Sequence, residues 1–82
     1  MNGTIIEVNR RSGMHAVRVE DGSVTVFEMT DSHEAERGDV ISGNLQTLAS
    51  ETLTNETQQE AFDVYIQGIF CSDSHWRALL DR

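Results

Sequence analysis

The first thirty residues alternate apolar and polar side chains with the period of two that half-buried β-strands show. Along residues 14–20, for example, His15, Val17 and Val19 share one face. Runs rich in β-branched and aromatic residues recur later in the chain. This pattern predicts five strands, near residues 3–9, 14–20, 23–30, 40–48 and 62–69.

The third predicted strand follows a strong hairpin signal. Asp21-Gly22 is typical of a two-residue turn, because both residue types tolerate a positive φ angle. On the strand after it, we expect Val24 and Val26 to face inward. Phe27 and Met29 are expected to face outward.

Three polar or glycine-containing stretches divide the rest of the chain. Thr30–Gly38 is an acidic connection, and Gly43 marks a bulge or bend within the fourth predicted strand. Ser50–Glu60 is polar, has few apolar residues and no clear period, so we predict a mobile loop.

A short helix is expected over Ser72–Arg82, where Trp76, Leu79 and Leu80 recur at helical spacing on one side. Five short strands before it favour a small closed barrel, because closure removes exposed strand edges. We therefore expect one mainly β domain, with the barrel in residues 1–70 and a helical extension in residues 71–82.

Several turn and core residues of the first half follow one another as in a known family. They are Gly3-Thr4-Ile5, Asn9 before the turn that ends at Gly13, Val17, Glu20-Asp21-Gly22, Val26-Phe27 and Gly38-Asp39-Val40. In this order they resemble the cold-shock domain. The resemblance implies a five-stranded antiparallel barrel of the OB type, whose first three strands bind single-stranded RNA or DNA.

A cold-shock domain stacks bases on aromatic side chains, and each stacked base contributes roughly 1–3 kcal/mol. The positions that correspond in this chain hold Glu7, Met14, Ala16, Phe27, Met29 and Thr30. Phe27 is the single aromatic residue among them. The resemblance therefore implies the shape of a nucleic-acid platform without most of its stacking residues, and any affinity should be weak.

The residues that replace those aromatics form a predicted surface, the Met/Phe patch, with an arginine rim. The patch consists of Met14, Ala16, Phe27 and Met29, and the rim of Arg10, Arg11 and Arg18. Three interpretations stay open: the C-terminal helix covers the patch, the patch binds a protein, or it binds single-stranded nucleic acid weakly. Methionine-rich surfaces are typical of adaptable protein binding.

The charge distribution disfavours general nucleic-acid binding. The formal net charge is −8, and all six basic residues are arginines. A field of this sign repels phosphates. The acidic segments Asp31–Asp39 and Glu51–Asp63 are either solvated loops or a surface that mimics nucleic acid or docks on a basic protein.

Catalytic and metal-binding patterns are weak. Cys71 and His75 supply two ligands, whereas a zinc site needs three or four. Ser72 and Asp73 precede His75 by three and two residues, and they are better suited to capping a helix than to a catalytic relay. His15 is expected to be a hydrogen-bonded histidine in the core or at the barrel end. We therefore expect no enzyme, no cofactor and no metal.

The sequence thus predicts a non-enzymatic binding module, with protein–protein interaction through the Met/Phe patch. The alternative is weak binding of single-stranded RNA or DNA on the first three strands. A single cysteine and the lack of an apolar leader favour a cytoplasmic protein. We expect no membrane association, and a monomer or weak homodimer.

Overall fold

A computed structural model describes residues 1–81 of the chain. Within that range it has six β-strands and one α-helix: β1 (Asn2–Asn9), β2 (Met14–Val19), β3 (Val24–Met29), β4 (Val40–Ser42), β5 (Ser50–Asn55), β6 (Glu60–Cys71) and α1 (Asp73–Leu80). The first three predicted strands, the last one and the helix are confirmed. Ser72 caps α1, because its Oγ accepts the backbone N–H of His75 at 3.3 Å. Arg82, the last residue of the predicted helix, lies outside the described residues.

The strands close into a barrel in the order β1-β2-β3-β6-β5-β4, and β4 pairs back with β1. Every neighbouring pair is antiparallel. The predicted number of five strands is wrong, and the geometry explains why. Antiparallel neighbours alternate in direction, so a closed ring built only from such pairs needs an even number of strands.

The additional strand, β5, lies in the segment predicted to be a mobile loop. It pairs with β6 from Ser50 to Asn55 and with β4 at its end. Leu53 and Asn55 on its inner face are fully buried. The loop prediction for residues 50–60 is therefore wrong over its first half, because two inward side chains are enough to anchor a short strand between two neighbours.

The fourth strand is shorter than predicted. It ends at Ser42, and Gly43 follows with φ +134°. A Cβ at Gly43 would lie 2.8 Å from Leu53 Cδ2. The chain therefore bends at Gly43, as predicted, but it does not resume the strand, and Leu45 is fully buried in the barrel core.

The turn between β2 and β3 sets the orientation of β3. The backbone N–H of Val19 donates to Ser23 O at 2.8 Å, so the loop contains the three residues 20–22 rather than two. Gly22 occupies the left-handed region at φ +91°, as three-residue hairpin loops require. The pairing becomes His15↔Phe27. A register change of one residue turns every side chain of a strand to the other face.

Phe27 consequently points into the barrel, and Val24 and Val26 point outward, the reverse of the prediction. Phe27 is 0% exposed and belongs to the barrel core. That core is formed by Ile5, Val17, Val19, Phe27, Ala35, Ile41, Leu45, Leu53, Phe62, Val64 and Ile66. Met29 is partly buried and packs against it.

Helix α1 lies on the outer face of β2, β3 and β6. Its apolar side chains form a second cluster with strand residues; the cluster contains Met14, Ala16, Val24, Val26, Cys71, Trp76, Leu79 and Leu80. Gly68 makes room for the helix, since a Cβ there would lie 2.7 Å from Leu79 Cδ1. Of the three interpretations of the Met/Phe patch, coverage by the helix is therefore confirmed for Met14 and Ala16.

Candidate functional site

The candidate site is a cleft at the end of the barrel, where the acidic connection after β3 meets the turn between β5 and β6. We call it the acidic cleft; it is lined by residues 31–34, Glu36, Gln58, Glu60 and Ala61 and encloses about 810 Å³. A smaller hollow of about 260 Å³ adjoins it, which we call the His15 pocket; it is lined by Arg10, Gly13, His15, Met29 and residues 31–34. The two hollows share residues 31–34, so they lie side by side.

Four side chains form a hydrogen-bonded chain beneath the acidic cleft. Asn55 Nδ2 donates to Asp39 Oδ2 at 2.8 Å and contacts His33 Nε2 at 3.2 Å. His33 Nδ1 lies 2.6 Å from Glu60 Oε1. Because the carboxylate accepts, Nδ1 carries the hydrogen and Nε2 accepts from Asn55. Both ring nitrogens of His33 are thus occupied.

Asp39 fixes the other end of this chain. Its Oδ2 accepts three hydrogen bonds, from Asn55 Nδ2, from Gln58 Nε2 at 2.7 Å and from the backbone N–H of Glu36 at 2.9 Å. Burial raises the pKa of this carboxyl group, but the hydrogen bonds outweigh burial and lower its pKa overall. Asp39 is therefore ionised and holds the loops that line the cleft.

His15 lies at the bottom of the second hollow and is 3% exposed. Its Nδ1 is 2.8 Å from Gly13 O. A carbonyl can only accept, so Nδ1 carries the hydrogen and Nε2 keeps a free lone pair. Burial, the largest cause, lowers the pKa of His15 and keeps the ring neutral. Among residues 1–81, Nε2 is the one buried side-chain nitrogen or oxygen atom without a hydrogen-bond partner.

Stacked rings hold both histidines in place. His15 stacks on Phe27 with ring centres 5.0 Å apart, and His33 stacks on Phe62 at 4.7 Å. Phe27 and Phe62 contact each other at 5.8 Å in a tilted arrangement. Such aromatic contacts contribute about 0.5–1.5 kcal/mol beyond burial. The orientation of both imidazoles is therefore set by the barrel core.

Carboxylates dominate the rim of the acidic cleft: Asp31, Glu34, Glu36 and Glu60. Hydrogen bonds from the backbone N–H of His33 and of Asp63 lower the pKa of Asp31, against a smaller opposing effect of burial. Arg10, the cation in the lining of the adjoining His15 pocket, is engaged with Glu36 at 3.0 Å and with Ala35 O at 3.2 Å. The cleft is thus net negative.

The six residues predicted to bind a partner do not form one surface. Arg10 and Met29 line the His15 pocket, whereas Met14 is covered by α1 and Phe27 is inside the barrel. Arg11 is exposed in the turn after β1. Arg18, four positions beyond Met14 on β2, lies roughly 13 Å along the strand from that turn.

Arg18 is instead directed to the other end of the barrel. Its guanidinium donates to Gly22 O at 3.0 Å and lies 3.9 Å from Asp73 at the start of α1. The predicted arginine rim is therefore divided between two ends of the molecule. The residues of the Met/Phe patch and of its arginine rim therefore do not lie together on one surface.

The sequence analysis missed most of the site because its members are far apart along the chain. His33 and Glu60 are 27 residues apart, and Asp39 and Asn55 are 16 apart. Two signals were present in the sequence: His15 as an inward-facing histidine between apolar residues, and the acidic segments Asp31–Asp39 and Glu51–Asp63, which contain the carboxylates of the cleft. The prediction of a hydrogen-bonded histidine in the core or at the barrel end is confirmed, since His15 is buried and its Nδ1 is bonded to Gly13 O.

The cysteine and serine motifs near the C-terminus have structural positions. Cys71 is buried under α1, and burial raises the pKa of its thiol. His75 is exposed. Within residues 1–81, no three His, Cys, Asp or Glu side chains converge as ligands of a metal ion would.

No protein-family model, curated protein or solved structure matches this chain. Nor does any helix within residues 1–81 have the length and apolar character needed to span a membrane.

Proposed function

We propose that this protein is a small non-enzymatic binding module whose partner is a protein with a basic segment that docks in the acidic cleft. The observation that carries the proposal is the convergence of four carboxylates on a cleft that adjoins the pocket of an unpartnered, buried histidine nitrogen. A solvated acidic loop has no need of such a pocket, whereas a docking surface uses one to hold a side chain of its partner.

The supporting electrostatics are both global and local. The net charge of −8 raises the encounter rate with a basic partner and lowers it with phosphates. Locally, the hydrogen bonds to Asp31 and Asp39 fix the loops that carry Glu34 and Glu36. A partner would therefore meet carboxylates that are already ordered, which reduces the entropy cost of binding.

The resemblance to the cold-shock domain is, in this proposal, a likeness of barrel shape without the nucleic-acid activity. Helix α1 occupies the outer face of β2 and β3, and Phe27 is inside the barrel. Glu7, at a position that would take a stacking aromatic, is instead paired with Arg37 at 2.7 Å. Cold-shock-type binding would require α1 to leave this face.

An NMR titration tests the proposal. The ¹⁵N-labelled protein is titrated with a short peptide of alternating arginine and glycine, and separately with a single-stranded oligonucleotide. We expect the peptide to shift the amides of residues 31–36 and 58–61. Glu34→Lys should weaken binding on the order of tenfold, because it replaces attraction by repulsion at the rim.

Glu20→Lys is the matched control, since Glu20 lies in the turn at the opposite end of β2 and carries the same charge. It should weaken binding much less than Glu34→Lys. Equal effects of the two variants would reduce the interaction to net charge and contradict a defined cleft. Oligonucleotide-induced shifts on β1–β3, with none from the peptide, would favour the nucleic-acid alternative.

A further inference from the structure

We infer that the His15 pocket is a recognition site for a single arginine side chain, whose guanidinium donates to His15 Nε2 and to carboxylates of the acidic cleft. The inference deepens the proposed function and rests on it. It adds a specific ligand group, a specific acceptor atom and a preference for arginine over lysine.

The pocket has two imidazole rings, and one of their four nitrogen atoms remains available as a hydrogen-bond acceptor. His33 also lines it, but its Nδ1 is held by Glu60 and its Nε2 by Asn55. His15 Nδ1 is held by Gly13 O. His15 Nε2 is the remaining imidazole atom with a free lone pair, and leaving a buried acceptor unpaired costs free energy that a ligand N–H would recover.

A lone histidine acceptor calls for a hydrogen-bond donor rather than a metal ion. A metal site needs several ligands at once, and the other histidine of the pocket has no free nitrogen. A donor that carries positive charge is favoured further, because Asp31 and Glu34 line both hollows and Asp31 is held ionised by backbone N–H groups.

Guanidinium fits this combination better than ammonium. It presents five N–H groups in a fixed plane, so one edge can donate to His15 Nε2 while another faces a carboxylate. Ammonium is a compact and strongly hydrated charge, which makes its transfer into a pocket less favourable. Arg10 of the chain itself is held at the pocket wall by Glu36 and by Ala35 O.

The size of the pocket agrees with a side-chain end. Its volume of about 260 Å³ is below the roughly 300–1,000 Å³ of sites for drug-sized ligands. The acidic cleft beside it is larger, at about 810 Å³, and can take the rest of a basic segment. The two volumes favour an arrangement in which one arginine is anchored in the pocket and its neighbours in the basic segment lie over the cleft.

The test follows the ¹⁵N chemical shift of His15 Nε2 directly. Ethylguanidinium, ethylammonium, and short peptides of glycine alternating with arginine or with lysine are titrated into the ¹⁵N-labelled protein. We expect a saturable shift of Nε2 with ethylguanidinium and with the arginine peptide. The lysine peptide should bind about tenfold more weakly.

His15→Phe keeps a ring on Phe27 and removes the acceptor. It should weaken binding of the arginine peptide about tenfold to a hundredfold, as expected for a hydrogen bond to a charged group. His75→Phe, the same substitution at the exposed histidine of α1, should change nothing. The Nε2 shift is measured on the unsubstituted protein, so it decides the question even if His15→Phe folds poorly.

The outcomes separate the two proposals. If the arginine peptide binds the cleft but Nε2 does not move, the arginine site is overturned and docking of a basic segment stands. If ethylguanidinium moves Nε2 but no peptide binds, the pocket chemistry is supported and the proposed function is overturned. If no probe binds, both are overturned.

Discussion

The outer face under α1 and the acidic cleft are stabilised in different ways. Under α1, Met14, Ala16, Val24 and Val26 are covered by Trp76, Leu79 and Leu80, and the contacts are apolar. At the acidic cleft, loops are held by hydrogen bonds among Asp39, Asn55, His33 and Glu60. The apolar face is closed by the chain's own helix, whereas the polar end stays open.

This difference reverses the expectation from the sequence, in which the apolar patch was the binding surface and the acidic segments were mainly solvent-exposed loops. Apolar side chains on a small domain are more readily satisfied by a nearby helix of the same chain than by a partner. The ordered carboxylates of the acidic cleft and the buried, unpaired Nε2 of His15 are not covered in this way by any segment within residues 1–81. Ligand binding is therefore expected at the end with the poorer internal pairing.

The largest effect is expected on the helix side. Leu79→Ala should lower the free energy of unfolding by about 2–5 kcal/mol, because it leaves a cavity between α1 and Gly68. Fluorescence of Trp76 and circular dichroism during urea unfolding measure it. His75→Ala, an exposed position on the same helix, should stay within about 0.5 kcal/mol of the parent. A small effect of Leu79→Ala would mean that α1 is not firmly docked.

The second-largest effect on stability is expected in the hydrogen-bonded chain under the acidic cleft. Asp39→Asn should cost about 1–3 kcal/mol at neutral pH, since it weakens three hydrogen bonds to a buried carboxylate. The folded-state pKa of Asp39 is lowered, so its contribution is present above the unfolded pKa of about 3.9 and is lost as pH falls through the folded pKa.

The stability difference between Asp39→Asn and the parent should therefore shrink below about pH 4. Urea unfolding at neutral and at acidic pH measures this. Asp81→Asn is the same substitution just after α1 and should be nearly neutral. A difference that stays constant with pH would show that Asp39 acts through packing and not through its charge.

The smallest effect is expected at His15. His15→Phe should change stability by less than about 1 kcal/mol at neutral pH, because Gly13 O still accepts the backbone N–H of Met29 at 2.9 Å. The folded-state pKa of His15 is lowered, so the parent loses stability as pH falls below the unfolded value of about 6.5. The variant should lose less in that window, as denaturant midpoints on either side of it would show.

Local patterns predicted most strands and the helix, but they did not predict for every strand which side chains point into the barrel. The alternation in residues 14–20 correctly assigned His15, Val17 and Val19 to the interior. On β3, however, both faces are buried, so alternation alone cannot say which one is the core. The one additional residue in the turn between β2 and β3 then determines which face of β3 points into the barrel.

For the acidic cleft, the sequence offered the acidic segments as one possible docking surface but did not predict the geometry that brings them together. Its hydrogen bonds join the connection between β3 and β4 to β5 and β6, and their meeting depends on β5, whose polar sequence gave no strand signal. Asn55 gave no signal in the sequence, but in the structure its buried amide donates to Asp39 at the centre of the hydrogen-bonded chain. Ring closure of the barrel, rather than any local motif, creates the site.

That closure depends on the three residues of β4, which pair with β1 at Asn2–Thr4 and with β5 at Thr54 and Asn55. So short a strand is where the barrel should open first, and its amides should exchange with solvent sooner than those of β6. An opened molecule would expose two unpaired strand edges, the usual starting point of aggregation. The net charge of −8 would then keep opened molecules apart, so the acidity proposed to attract a basic partner would also protect the free protein from self-association.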